Sequence, residues 1–180
     1  DILWIIYTLD QLCDSIAVIC AREENLKFTL GLAGIRYYAP ESIEGYEAMT
    51  QGLLEEAVGI AGKMDLQSHL WNNPLDGASV MMLPRFGGHL RGRDILRAWT
   101  KSLVSCGILG QYLIVKPEFG TEDADMSTVE AAAREAKAER AVLPGQTGFL
   151  DIPVATSKIS KSGTWSHRQW RVRAVGIVES

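Results

Sequence analysis

The chain has 180 residues, 47% of them hydrophobic and 22% charged, and a formal net charge of −4. That balance excludes a disordered or collagen-like polymer and leaves enough apolar material for one core of ordinary size, so residues 1–180 read as a single globular domain. The longest uncharged apolar run, Ser102 to Val115, has 14 residues, short of the roughly 18 to 20 that a membrane-spanning helix needs.

The chain opens on Asp1 and reads as processed or as a fragment of a longer one. Its first residues, DILWIIYTLDQLCD, lack the basic start of a secretory signal. In that opening, Leu9, Leu12, Cys13, Ile16, Ile19 and Cys20 recur at three- and four-residue spacing, which predicts a core helix. On such a helix Cys13 and Cys20 stand about 10.5 Å apart along the axis, too far for a bridge. Both are therefore expected as buried thiols of an intracellular, reducing compartment.

KFTLGLAGIRYYAP is open between a short strand and an irregular crossing. From Ser42 to Met64, Tyr46, Met49, Leu53, Ala57, Ile60 and Met64 make a second helical stripe. Beside it Gly45, Gly52 and Gly59 fall seven apart on nearly one face, where close packing of a neighbouring backbone is expected. WNNPLDG is a loop, and ASVMML before Pro84 fits a helix or a strand equally. Asp94 is suited to cap a helix carrying Leu96, Trp99, Leu103, Cys106, Gly110 and Leu113, in which Gly107 and Gly110 would permit close approach to the earlier glycines. Tyr112 to Val115 could instead leave that helix as a strand.

TEDADMSTVEAAAREAKAERAVLPG predicts a surface helix. Ser127 and Glu130 offer a capping box, acids lead, bases follow, and Pro144-Gly145 stops it. Residues 148–180 change character, and FLDIPVATSKIS and WRVRAVGIV around KSGT predict a β-hairpin. The expected architecture is therefore α+β and predominantly α-helical, with four to five helices around one core and a C-terminal hairpin.

Charge is uneven. Residues 1–84 carry 12 acids and 4 bases (net −8), and residues 85–180 carry 10 acids and 14 bases (net +4). The change falls at RFGGHLRGRDILRAW, which holds Arg85, Arg91, Arg93 and Arg97. A glycine-bearing loop entering a helix can present N–H groups and guanidiniums to an anion. Gly87, Gly88 and Gly92 nevertheless match neither a Walker A loop nor a dinucleotide fingerprint. Arg93, Arg97 and Lys101 lie at i, i+4 and i+8, forming either a basic edge or one side of a set of salt bridges. In the hairpin, Lys158, Lys161, Arg168, Arg171 and Arg173 surround Trp165 and Trp170, the mixture of cations and rings that single-stranded nucleic acid meets.

Metal ligands, a catalytic nucleophile and a cofactor motif are not found. His69, His89 and His167 are isolated, and the start of a calcium loop at Asp123 has Thr128 and Arg134 where glycine and glutamate belong. The expected function is a non-catalytic structural or assembly protein whose basic residues contact nucleic acid, RNA included, or another polyanion. One alternative is a protein-binding adaptor or subunit of a larger complex, with homo-oligomerisation. The other is a small enzyme that gathers His89, His167 and Asp151.

Overall fold

In the computed structural model, which describes residues 2–9, 12–21, 29–85, 92–140 and 154–156, the opening segment is two strands and not a helix. β1 (Ile2–Leu9) and β2 (Cys13–Ala21) pair antiparallel, with Leu9 opposite Asp14 and Ile2 opposite Ala21. The residue types explain this. Ile5, Ile6, Ile16, Val18 and Ile19 are β-branched, which costs rotamer freedom in a helix and suits a pleated surface. β2 is also covered on both faces, by one core through Ala17 and Ile19 and by another through Ile16, Val18 and Cys20. A strand buried on both sides is apolar at nearly every position, so three- and four-residue spacings can be picked out of it at will.

β3 (Gly31–Tyr37), α1 (Ile43–Leu70), β4 (Asp76–Pro84), α2 (Gly92–Ser105), β5 (Leu113–Pro117) and α3 (Asp123–Arg140) follow. The sheet order is β1-β2-β4-β3-β5; β4 runs antiparallel to β2, and β3 runs parallel to both β4 and β5. Each parallel step crosses over through a helix. The crossovers run in opposite directions along the sheet, so a common right hand puts α1 on one face and α2 on the other. On the first face Leu53, Ala57 and Ala61 of α1 pack on Ile16, Val18, Met81 and Leu83. On the second, Leu96, Trp99 and Leu103 of α2 and Val129 and Ala133 of α3 pack on Ala17, Ile35, Val80 and Met82. The expectation of four to five helices in a mainly helical α+β domain is thus replaced, among the described residues, by three helices on a five-stranded mixed sheet, an α/β arrangement.

The glycines divide differently from expectation. A Cβ on Gly52 or Gly59 would meet nothing within 4 Å, and one on Gly45 only the Ser42 hydroxyl that caps α1. Close approach lies instead at Gly77 on β4, where a Cβ would fall 2.0 Å from Asp65 N and 2.4 Å from Ala61 O on α1. Gly107 and Gly110 lie after α2 with φ of +75° and +86°, ending the helix rather than packing inside it. α3 starts at Asp123 without the expected box, because Ser127 Oγ donates to Asp123 O at 3.3 Å. Glu130 Oε1 accepts instead from Val154 N and Ala155 N, at 3.1 and 2.8 Å. Its alanines Ala132, Ala133 and Ala136 are buried, so α3 is a core helix and not a thinly packed surface one.

Of residues 148–180 only 154–156 are described. Val115 N donates to Val154 O at 2.9 Å and Thr156 N to Val115 O at 2.8 Å, a parallel bridge onto β5. The rest of the expected hairpin lies outside the described residues. Cys13 and Cys20 are buried free thiols on opposite faces of β2, and Cys106 is an exposed one. Among the described residues no helix is long and apolar enough to cross a membrane.

Candidate functional site

The parallel strands β3, β4 and β5 end along one edge of the sheet, at Tyr37, Pro84 and Pro117. From there β3 passes to α1 on one face and β4 to α2 on the other. Connections that part in this way open a crevice at the carboxyl ends of the strands, the usual ligand position in α/β sheets. A cavity of ≈ 560 Å³ lies along this edge on the α2 side, within the range of small-molecule sites. It is lined by Tyr37, by Gly92, Arg93, Asp94 and Leu96 of α2, and by Gly120, Thr121, Glu122 and Asp125 around the start of α3.

Main-chain hydrogen bonds hold these pieces together. Tyr37 N donates to Phe119 O at 2.9 Å, and Thr121 Oγ1 donates to Ile35 O and accepts from Glu118 N, both at 2.9 Å. Gly120 has φ +71°, and a Cβ there would fall 2.1 Å from Tyr37 O, so only glycine lets the turn after β5 lie against the end of β3. Asp125 Oδ2 accepts from Glu122 N at 2.9 Å, fixing the start of α3. The Tyr37 ring stands beside Gly92, where a Cβ would meet it in ordinary contact at 3.5 to 3.9 Å.

Arg93 meets Glu122 and Asp125, each at 3.6 Å. With Asp94 the cavity therefore carries one cation and three anions. Burial pushes the Tyr37 hydroxyl up to about 12, with smaller contributions from Cys13 and Asp125. It is a proton donor at neutral pH. On the α1 side of the same edge, Arg36 donates to Glu118 at 2.8 Å and to Glu56 at 3.4 Å, and Tyr38 OH donates to Glu56 at 2.6 Å. Farther along, Asp14 accepts from the Tyr46 hydroxyl and from Arg85 at 3.1 Å. Among the described residues no group of three or more His, Cys, Asp or Glu is placed to hold a metal ion.

Among the described residues, Arg93 alone of those expected to bind an anion lines the cavity. Arg85 is paired with Asp14, Arg97 with Glu135 at 3.8 Å, and Lys101 with Glu135 at 3.0 Å and Glu139 at 3.5 Å. The basic edge at i, i+4 and i+8 exists, and the acids of α3 face it. Arg91, Lys158, Lys161, Trp165, Arg168, Trp170, Arg171 and Arg173 lie outside the described residues, as do His89, Asp151 and His167. Tyr37, Thr121, Glu122 and Asp125 were not among the expected site residues. The TEDAD acids carried a signal, but it served equally well to mark a helix start.

No family model matches the sequence, and no curated protein does. Solved structures share the fold. The hetero-hexameric glutamate dehydrogenase of Thermus thermophilus in its Leu-bound form matches with a TM-score of 0.51 at 17% identity, over 76% of this chain and 31% of that one. L-Tryptophan dehydrogenase of Nostoc punctiforme matches with a TM-score of 0.52 at 13% identity, over 74% of this chain and 35% of that one. The chain thus spans about a third of the length of these structures. The likeness overturns the expectation of a non-catalytic structural, assembly or RNA-binding protein, and of the adaptor beside it. The fold is one found in dehydrogenases, and the described cations Arg85, Arg97 and Lys101 are engaged by carboxylates outside the cavity, leaving no support for nucleic acid or an acidic protein as partner.

Proposed function

We propose that this chain is the small-ligand domain of a protein of the amino-acid-dehydrogenase kind, and that the crevice at the carboxyl ends of β3–β5 takes an α-amino acid. The observation that carries this reading is a cavity of ≈ 560 Å³ in which Arg93 stands among Asp94, Glu122 and Asp125. An amino acid brings charges of both signs. Its ammonium group suits the three carboxylates, and its carboxylate suits Arg93 and the N–H groups of the first turn of α2. The two Arg93 contacts at 3.6 Å are longer than a charge-assisted hydrogen bond, so a ligand carboxylate can take them over without breaking a tight pair. Leu96 and the Tyr37 ring supply an apolar wall for a side chain.

The names of the structural neighbours, glutamate dehydrogenase in its Leu-bound form and L-tryptophan dehydrogenase, agree with this ligand class. A dinucleotide does not fit the residues present. None of the three strand-to-helix connections, Tyr38 to Ser42, Arg85 to Arg91 or Glu118 to Glu122, carries the spacing of glycines that lets a backbone cradle a pyrophosphate. The part assigned to this domain is to bind and orient the amino acid.

Calorimetric titration of the full chain with L-leucine, L-glutamate and L-tryptophan tests the reading, with the N-acetyl and methyl ester derivatives as controls. One-to-one binding is expected for at least one free amino acid, with loss on blocking either end. Arg93→Ala and Asp125→Asn should each weaken it roughly 10- to 100-fold, the worth of a hydrogen bond to a charged group. Equal binding of free and blocked forms, or full affinity in both variants, would overturn it.

A further inference from the structure

A second surface lies at the far end of the sheet from the crevice. Among the described residues β1 is an edge strand, joined to the sheet through β2 alone. Its sequence ILWIIYTL contains no charge and no proline, and it pairs with β2 one residue to one residue from end to end, without a bulge. Charge, proline and bulges are the devices by which edge strands normally prevent pairing with another chain, and β1 has none of them. On the face that carries α1, Leu3, Ile5 and Tyr7 alternate outward and are 45%, 40% and 52% exposed. On the other face Trp4 and Ile6 pack against the core, the Trp4 ring standing edge-on to Tyr112 at 5.3 Å.

We propose that β1 pairs with β1 of a second copy of this chain, antiparallel about a two-fold axis centred on Ile5, joining the two five-stranded sheets into one of ten. Symmetry selects this register. Two copies of one strand can pair antiparallel only about an axis normal to the sheet, and such an axis keeps the α1 faces of both copies on the same side. Residues directly opposite one another share a face, so the axis must pass through one residue and its own copy. Centring on Ile5 sets Ile5 against Ile5, Leu3 against Tyr7 and Trp4 against Ile6. The exposed apolar strip is then doubled into six adjoining side chains between the two α1 helices, with aliphatic–aromatic neighbours across the seam. The strand is its own complement in shape and in lack of charge, whereas a charged foreign segment would find nothing on it to select. Three strand spacings of about 4.8 Å separate β1 from β3. The crevice stays open, and this inference does not depend on the amino-acid reading.

Sedimentation of the full chain across 1 to 100 µM, with cross-linking in a Cys106→Ser background, tests it. The unsubstituted chain should sediment as a dimer, and Ile5→Lys, which sets two ammonium groups against each other at the axis, should shift it to monomer with unchanged circular dichroism. Ile5→Cys should form a disulfide-linked dimer under mild oxidation. Leu3→Cys and Tyr7→Cys should each fail to link with themselves and should link when mixed. A monomer throughout the concentration range would overturn the proposal. So would self-linking of Leu3→Cys in place of Ile5→Cys, or a dimer that survives Ile5→Lys.

Discussion

Gly77 is where α1 and β4 touch backbone to backbone, and Gly77→Ala measures how firmly that contact sets the position of the helix. The new Cβ would lie 2.0 Å from Asp65 N and 2.4 Å from both Ala61 O and Asp65 Cα, whereas ordinary contact begins near 3.4 Å. All three are main-chain atoms of one helix, so no rotamer relieves the overlap and α1 has to retreat by about 1 Å or more. Retreat loosens Leu53, Ala57 and Ala61 on the sheet and stretches two hydrogen bonds, Ser79 Oγ to Ala57 O at 2.6 Å and Gly77 N to Asp65 Oδ1 at 3.2 Å. Overpacking costs roughly 1 to 3 kcal/mol and each weakened hydrogen bond about 1, so a loss of ~3 to 5 kcal/mol is expected. For a chain of this size that is a fall in Tm of roughly 6 to 20 °C. Gly52→Ala and Gly59→Ala are the internal controls. Both sites open onto empty space, so each should gain roughly 1 kcal/mol from helix propensity alone. Urea unfolding followed by circular dichroism at 222 nm reads all three. A neutral Gly77→Ala, or a destabilising Gly52→Ala or Gly59→Ala, would refute the placement of α1.

Trp99 Nε1 donates to Ser15 Oγ at 2.9 Å inside the core, so Trp99→Phe should cost about 2 kcal/mol or more, and a double-mutant cycle with Ser15→Ala should show coupling of roughly 1 kcal/mol. Additive effects would mean the bond contributes nothing. Burial, then the charges of Asp65 and Asp76, raise the Cys20 thiol to about 11. Burial raises the Tyr46 hydroxyl to about 12, with Asp14 adding to it, and the Tyr37 hydroxyl lies equally high. Between the ordinary and the raised values the folded chain holds more protons than the unfolded one. Their contribution is therefore complete below pH 9, declines from there for Cys20 and from about pH 10 for the tyrosines, and is gone above pH 12. Urea midpoints from pH 8 to 11 should fall, and Cys20→Ala should flatten the first part of the decline. Glu130→Ala removes the acceptor of Val154 N and Ala155 N and should speed hydrogen exchange at those two amides by roughly tenfold or more, leaving the amides of β4 unchanged.

The elements that could be read from the sequence were those whose signals are local. α1 follows from the stripe that holds Leu53 and Ala57, whereas β5 was seen only as an alternative to a helix running on to Leu113, and α2 stops at Ser105. β2 was misread as a helix and β4 left open between helix and strand because both are covered on both faces, which removes the alternation by which a strand is usually recognised. The alanines of α3 were misjudged for a related reason: a small side chain means thin packing only if the neighbouring helix stays distant, and α2 does not. The basic edge Arg93, Arg97, Lys101 was visible, but its partners Glu135 and Glu139 belong to a helix that local periodicity could not bring alongside. The crevice was the least legible feature. Tyr37, Arg93 and Asp125 meet only because two crossovers part at the carboxyl edge of the sheet, and that parting is a property of strand order.

A titration of the ¹⁵N-labelled full chain with L-leucine, L-glutamate and L-tryptophan in turn, followed by amide chemical shifts, most directly tests whether that edge is a ligand site. The perturbed amides should be those of Tyr37, Gly92 to Leu96 and Gly120 to Asp125, and Arg93→Ala should move the midpoint of the response to a roughly 10- to 100-fold higher concentration. A spectrum unperturbed by all three amino acids at saturating concentration, or shifts confined to β1 and the exposed face of α1, would contradict it.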